Sequence, residues 1–298
     1  MCKECGCGFN GDPVAIGGHS HDGHFHHHHD HDGEHSHSHG HSHDDGPRTL
    51  TLAQSLMEKN DRLARRNREL FRERQLLVLN VVSSPGSGKT TFIRETAVKL
   101  AGHLRIGVIV GDLATDNDAA RLRTAGIPVV QITTGTVCHL DAEMVFRAAA
   151  EIDLKQLDVL VIENVGNLVC PADYDLGERL RVVLLSTTEG EDKPLKYPPM
   201  FHSANAAIIT KSDLADAAGF DRKQAIANLG RISHHARIFE LSARTGDGMG
   251  KWLEFLREEW QKVGAKNPAA GASTAPERRT ESPNFFQRFF QSTLRFGR

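Results

Sequence analysis

The stretch that most restricts the fold is Ser83–Thr90, SSPGSGKT. It follows an apolar run, LLVLNVV, and precedes a helical pattern, TFIRETAVKLAG. A glycine-rich turn between a strand and a helix is what a phosphate-binding loop requires. Gly86 and Gly88 let backbone N–H groups turn towards phosphate oxygens, with Ser84, Ser87 and Thr91 beside them, and the helix N-terminus adds its dipole. Lys89 then reaches the outer phosphates and the Thr90 hydroxyl ligates Mg2+. One position departs from the pattern G-x-x-x-x-G-K-[ST]: Ser83 replaces its first glycine.

The apolar runs RIGVIV, PVVQI, LDVLVIE, AAIIT and RIFELS follow. Together with LLVLNVV they are mostly continuous rather than alternating, as expected of strands buried on both faces of a parallel sheet. With helical patterns between them, residues 76–265 read as a mostly parallel, doubly wound α/β sheet with helices on both faces. Residues 47–75 read as a preceding helix, with Leu52, Leu56, Leu63, Leu70 and Phe71 near one stripe. Residues 266–298 read as a flexible tail ending in FFQRFFQSTLRFGR. That end reads either as a docking or membrane-surface helix or as disordered chain.

Residues 1–46 contain eight acidic residues, one lysine and thirteen of the eighteen histidines. They offer almost nothing to bury, so this segment is expected to be disordered. The head, MCKECGCG, sets Cys2, Cys5 and Cys7 close enough to hold a soft or borderline divalent metal, with redox or iron–sulfur chemistry as the competing reading. The tract that follows carries His24, His26, His27, His28, His29, His31, His35, His37, His39, His41 and His43. Imidazoles on a flexible chain bind several ions without fixed geometry, which suits storage or buffering; a solubilising tail is the alternative.

The net charge of −2 and the lack of a basic stripe give no sign of a nucleic-acid surface. No apolar run approaches the roughly 20 residues needed to cross a bilayer, and no secretory leader is expected. Five cysteines, odd in number and unevenly placed, do not make a secreted disulfide framework. A reducing cytoplasm is the expected setting.

Strand ends should deliver further ligands to the phosphate edge. Glu163, closing LDVLVIE, is the best candidate for a carboxylate near Mg2+, and Asp112, closing RIGVIVGD, is the other. TKSD places Asp213 just past AAIIT, where a carboxylate accepts from guanine N1–H and N2–H2 and is left unmatched by adenine. Lys211 would pack along the base, although Thr210 stands where the N-K-x-D pattern has asparagine. LSARTG supplies Ser242 and Ala243 behind the base, so GTP is expected rather than ATP. Cys138–His139 and Cys170 follow two expected strands and should meet on the same edge, a donor set for Ni2+ or Zn2+ with one position open. Glu163 and Cys170 share one short loop, so ordering by the terminal phosphate would move the metal site as well. Thr187–Phe201 reads as a polar loop at a partner or dimer surface.

The CxxCGC head, the histidine-rich insert, SSPGSGKTT, GDLATDNDA, GTVCHLDAEM, ENVGNLVCP and TKSDL together resemble the HypB family of hydrogenase nickel-incorporation GTPases. The resemblance covers nearly everything from residue 2 to about residue 262, except the exact composition of the histidine tract, and excludes the C-terminal tail. It implies a GTPase, using GTP and Mg2+, that stores Ni2+ and delivers it to the large subunit of [NiFe]-hydrogenase alongside the zinc-containing accessory protein HypA. It also implies nucleotide-favoured homodimers. By motif match Cys2, Cys5 and Cys7 carry a tight nickel site, and Cys138, His139 and Cys170 a second metal site near the dimer interface. The urease nickel-chaperone GTPases are the nearest alternative, but VCHL has no proline between Cys138 and His139 as their Cys-Pro-His motif has. A nickel-storage protein with incidental GTPase activity is the alternative from another class, and an ATP-dependent kinase is disfavoured by the base loops.

Overall fold

The computed structural model describes residues 46–265, with side chains from 54 to 264. The cysteine head, the histidine tract and the C-terminal tail lie outside the described residues.

Seven strands form one sheet in the order β3-β2-β4-β1-β5-β6-β7. They are β1 (Leu77–Val82), β2 (Ile106–Asp112), β3 (Val129–Thr133), β4 (Val159–Glu163), β5 (Leu180–Ser186), β6 (Ala206–Thr210) and β7 (Arg237–Glu240). Every pairing is parallel. Six of the seven are the expected runs. The seventh, β5, was not among them, and it lies at the centre against β1. Its second residue is a buried arginine, and a loop with one short 3-10 turn, not a helix, connects it to β4. Arg181 is accommodated because its guanidinium donates to Glu178, to the carbonyls of Ala172 and Tyr174, and to Ser203 Oγ. A buried charge is tolerated only with such full pairing.

Alternate residues of each strand point to opposite faces. One face, with Leu79, Val108, Val161 and Leu184, packs against α2 (Lys89–Leu100), α3 (Asn117–Arg123) and α8 (Met249–Ala265), where Phe92 and Trp252 fill the centre. The other face is covered in two patches. Val78, Ile109 and Leu160 meet α1 (Gly46–Glu73) and α4 (Ala142–Ala149). Val183, Leu185 and Ile209 meet α6 (Pro198–His202) and α7 (Arg222–Ile232), after the short α5 (Lys193–Lys196).

Helix α1 departs from the expected leucine stripe. Leu70 and Phe71 are buried, but Leu63 is only half-buried and Leu56 is 45% exposed. The face turned inward is Asn60, Ala64, Asn67 and Phe71, spaced by three or four residues. Asn67 Nδ2 donates to the carbonyls of Ala142 (2.8 Å) and Leu176 (3.0 Å). Asn60 Nδ2 donates to the Asp175 carbonyl (2.9 Å), and its Oδ1 accepts from the Ala142 N–H (2.9 Å). The helix can come this close because Gly177 faces it: a Cβ there would lie 2.6 Å from Asn67 Cβ, and its φ is +88°. No helix among the described residues is long and apolar enough to cross a membrane.

Candidate nucleotide and metal site

All seven strands run the same way, so their C-terminal ends share one edge, and the predicted ligands sit along it. Register pairs Val81 with Glu163, and Glu163 with Val110. Helices α4 and α7 begin at aspartates whose side chains accept from their own first turns. Helix α2 begins at Gly88, φ +92°, with no side-chain cap, which leaves its first N–H groups directed at the loop for an anion.

Lys89 Nζ donates to Ser83 Oγ at 3.2 Å, so the hydroxyl that replaces the first loop glycine holds the lysine in place. Burial pushes the Lys89 ammonium down, and Glu163, Asp118, Glu189 and Asp112 pull it back up. Thr90 Oγ1 donates to Glu163 Oε1 at 2.7 Å, joining the two candidate Mg2+ groups directly. Glu163 Oε2 is buried with no hydrogen-bond partner. Burial raises the Glu163 carboxyl to about 7 against the opposing pull of Lys89 and Thr90. An orphaned buried carboxylate oxygen beside a threonine hydroxyl fits a hard cation or its water. Asp112 differs. Burial raises it, but N–H bonds from Ala114 and Thr115 outweigh that and hold it below its ordinary value.

A cavity of about 390 Å³ opens beside the loop. Ser87, Gly88 and Thr91 line one side of it, and Lys211, Asp213, Ser242 and Ala243 the other. Lys211, in a left-handed conformation (φ 57°), donates from Nζ to the Gly86 carbonyl at 2.7 Å. Thr210, in the asparagine position, donates from Oγ1 to the Ser87 carbonyl at 2.9 Å and ties the end of β6 to the 83–90 loop. Hydrogen bonds from Ser242 and Arg244 hold the Asp213 carboxyl below the usual range, with Arg244 Nη2 at 2.7 Å.

Cys138, His139 and Cys170 converge: their ligand atoms all lie within 4.8 Å of one another, and the two Sγ atoms are 3.0 Å apart. His139 is buried, its ring 3.9 Å from that of Tyr174, and its Nδ1 has no hydrogen-bond partner. Burial lowers the His139 imidazole against the pull of Asp141, which favours the neutral, metal-binding form. Two sulfurs and an unpartnered imidazole nitrogen fit a borderline ion with room for a further ligand.

The loop from Glu163 to Cys170 touches both halves. A Cβ on Gly166 would lie 3.0 Å from Pro85 of the phosphate loop. Asn167 Nδ2 donates to the Cys138 carbonyl at 3.3 Å. Several contacts were not legible as site residues: Thr210, Arg244, Gly166, Asn167, Tyr174 and Glu189. Of these only Thr210, in the asparagine position of the N-K-x-D pattern, and Arg244, the basic residue of LSARTG, carried a signal. Glu189 lies in Thr187–Phe201, which was expected to be a polar loop but forms a 3-10 turn, α5 and α6 with Met200 and Phe201 buried in the core, and it accepts from Ser87 Oγ at 2.5 Å.

Residues 77–240 match the family model for the CobW/HypB/UreG nucleotide-binding domain. Over 212 residues the chain is 50% identical to hydrogenase maturation factor HypB of Azotobacter vinelandii, covering 71% of this chain and 70% of that one. The chain belongs to the HypB family. The same factor from Rhizobium leguminosarum bv. viciae is 46% identical over 290 residues, covering 85% of this chain and 96% of the relative. The solved structure of HypB from Helicobacter pylori in complex with nickel is similar at TM-score 0.65 and 40% identity, covering 72% of this chain and 100% of that one. The urease-chaperone alternative shares the broad family model, but these close relatives bear the HypB name. HypB membership makes this chain a nucleotide-binding protein of a GTPase family.

Proposed function

We propose that this HypB-family chain is a GTPase that gates a nickel site and delivers Ni2+ during maturation of the [NiFe]-hydrogenase large subunit. The observation that carries the reading is the 163–170 loop. One end bonds to Thr90, its middle lies on Pro85 and the Cys138 carbonyl, and its far end is Cys170. A phosphate-dependent shift at Glu163 therefore displaces a metal ligand.

In this reading the N–H groups of Ser84 and of residues 86–91 cradle the phosphates, Lys89 neutralises them, and Thr90 and Glu163 hold Mg2+, with Asp112 close by. Asp213 accepts from guanine, Lys211 covers the base, and Ser242 and Ala243 back it. Asp213→Ala should weaken GDP binding by about 100-fold, on the order of 3 kcal/mol for lost charge-assisted bonds, with ATP binding unchanged. Among the described residues none is positioned as a water-orienting glutamine or arginine finger, so unassisted hydrolysis should run below about 1 s−1.

Cys138, His139 and Cys170 take Ni2+ or Zn2+ as cargo. Cys2, Cys5 and Cys7 form a tighter nickel site and the histidine tract a reserve. The thiol ligands need a reducing compartment, for which we propose the cytoplasm. A HypA-type accessory protein, the hydrogenase large subunit and a second copy of the chain are the proposed partners.

The test is the thiolate-to-Ni2+ absorption of the full chain, taken as the difference from Cys138→Ala, in GDP and in a non-hydrolysable GTP analogue. A nucleotide-dependent affinity is expected. Equal affinities in the two nucleotide states would leave a storage protein with a separate GTPase as the better account.

A further inference from the structure

Three of the five histidines between residues 46 and 265 gather far from the site above. His202 ends α6, and His234 and His235 follow α7. Both positions immediately precede strands, β6 and β7, so the group sits on the sheet edge opposite the phosphate loop. The His202 and His235 rings are 5.5 Å apart and edge-on at 83°, and the His234 and His235 rings are 5.4 Å apart. All three side chains are exposed.

We propose that His202 and His235, with His234 as a third donor, form a further binding site for a divalent ion of the nickel–copper–zinc group. His202 Nδ1 lies 3.1 Å from the Ile232 carbonyl. A carbonyl oxygen only accepts, so Nδ1 carries the hydrogen and the Nε2 lone pair is presented outward. This is the tautomer, fixed by a backbone carbonyl, that metal-ligating histidines adopt.

The backbone spacing is set as well. Ser233, next to His234, donates from Oγ to the carbonyl of Phe201, next to His202, and both are buried. Arg237 N–H, two residues beyond His235, donates to the Asn205 carbonyl at 3.1 Å. Metal–nitrogen bonds of about 2.0–2.1 Å place the centres of two imidazoles on one ion about 5 Å apart. The His202–His235 pair reaches that spacing by a small rotation of exposed side chains. Three imidazoles leave positions open to water, so the site exchanges its ion readily and follows the intrinsic order that puts Cu2+ above Ni2+ and Zn2+.

The test is carbethoxylation of the full chain at buffered free Ni2+, read peptide by peptide in a mass spectrometer so that the N-terminal tract does not interfere. His103, exposed and outside the cluster, is the internal control. Labelling of His202 and His235 should fall about tenfold when free Ni2+ is ten times the dissociation constant, with His103 unchanged. His235→Ala should restore His202 labelling in Ni2+ while leaving GTP hydrolysis and thermal unfolding as they were. Three results would each overturn the site: labelling indifferent to Ni2+, equal protection of His103, or His202 still protected in His235→Ala.

Discussion

Glu163 has two oxygens in different situations. Oε1 accepts from Thr90, while Oε2 is buried and unpartnered. With its carboxyl raised to about 7, the empty protein retains a proton there that Mg2+ binding must expel. Affinity for Mg2+–nucleotide should therefore fall about tenfold per unit as pH drops below 7, and level off above it. Titrating a fluorescent GDP analogue with Mg2+ between pH 6 and 8 checks this; a flat profile would remove Glu163 from the metal's ligands. The same shift has a stability sign. Between 4.5 and about 7 the unfolded chain has already released the proton that the folded chain keeps, so the empty protein loses stability as pH rises through that window, on the order of 3 kcal/mol in all. Glu163→Gln should melt higher than the parent at pH 8 in the absence of nucleotide and yet bind Mg2+–nucleotide worse. At the far side of the loop, Glu189→Ala removes a bond to Ser87 and should loosen nucleotide binding several-fold without changing the base preference, as competition between GDP and ADP would report.

Among the elements, α1 is the one whose attachment departs most from its pattern. Its inward stripe is held by two asparagines rather than by leucines. Asn67→Ala would leave two carbonyls without their donor and should cost about 2–3 kcal/mol, read as a drop in the thermal midpoint. Asn67→Leu should cost at least as much, because shape and polarity both fail there. A cost near zero would mean that α1 is held by Leu70 and Phe71 alone. The leucines at 56 and 63 sit at helical spacing and read as core, yet periodicity cannot say which of two possible faces turns inward when the partner surface is made of carbonyls. Strand β5 was missed for a related reason. Its apolar run lacks a helix before it and begins with a charge whose partners lie in the loop ahead. The phosphate-loop and base-loop candidates are local motifs, and Cys138–His139 and Cys170, although 32 residues apart, each follow an expected strand of one parallel sheet, which is why their meeting on one edge could be expected. Glu189 and Asn167 were not, because their contacts span 102 and 29 residues of chain and leave no local trace.

At the scale of the molecule, parallel strands bring the candidate phosphate, base and metal residues to one edge, and the 163–170 loop runs from the partner of Thr90 to Cys170. If that loop is the coupling element, Asn167→Ala should bring the Ni2+ affinities in GDP and in a GTP analogue together while leaving nucleotide affinity within about twofold, since coupling free energy is separable from binding. Gly166→Ala, which pushes a methyl group against Pro85, should instead disturb nucleotide and metal binding together. Unequal Ni2+ affinities that persist in Asn167→Ala would assign the coupling to another path. Helix α1 adds a consequence of position. Leu56 and Asn60 border the same cavity of about 160 Å³ as His139. Gly46 stands ten residues further up that helix, about 15 Å at the usual rise. If the cysteine head and histidine tract hold Ni2+ as proposed, they join the chain ahead of that helix, and an ion they release meets Cys138 at a local concentration set by chain length rather than by how much protein is present. Transfer between the two would be a unimolecular event, with a half-time that dilution does not lengthen.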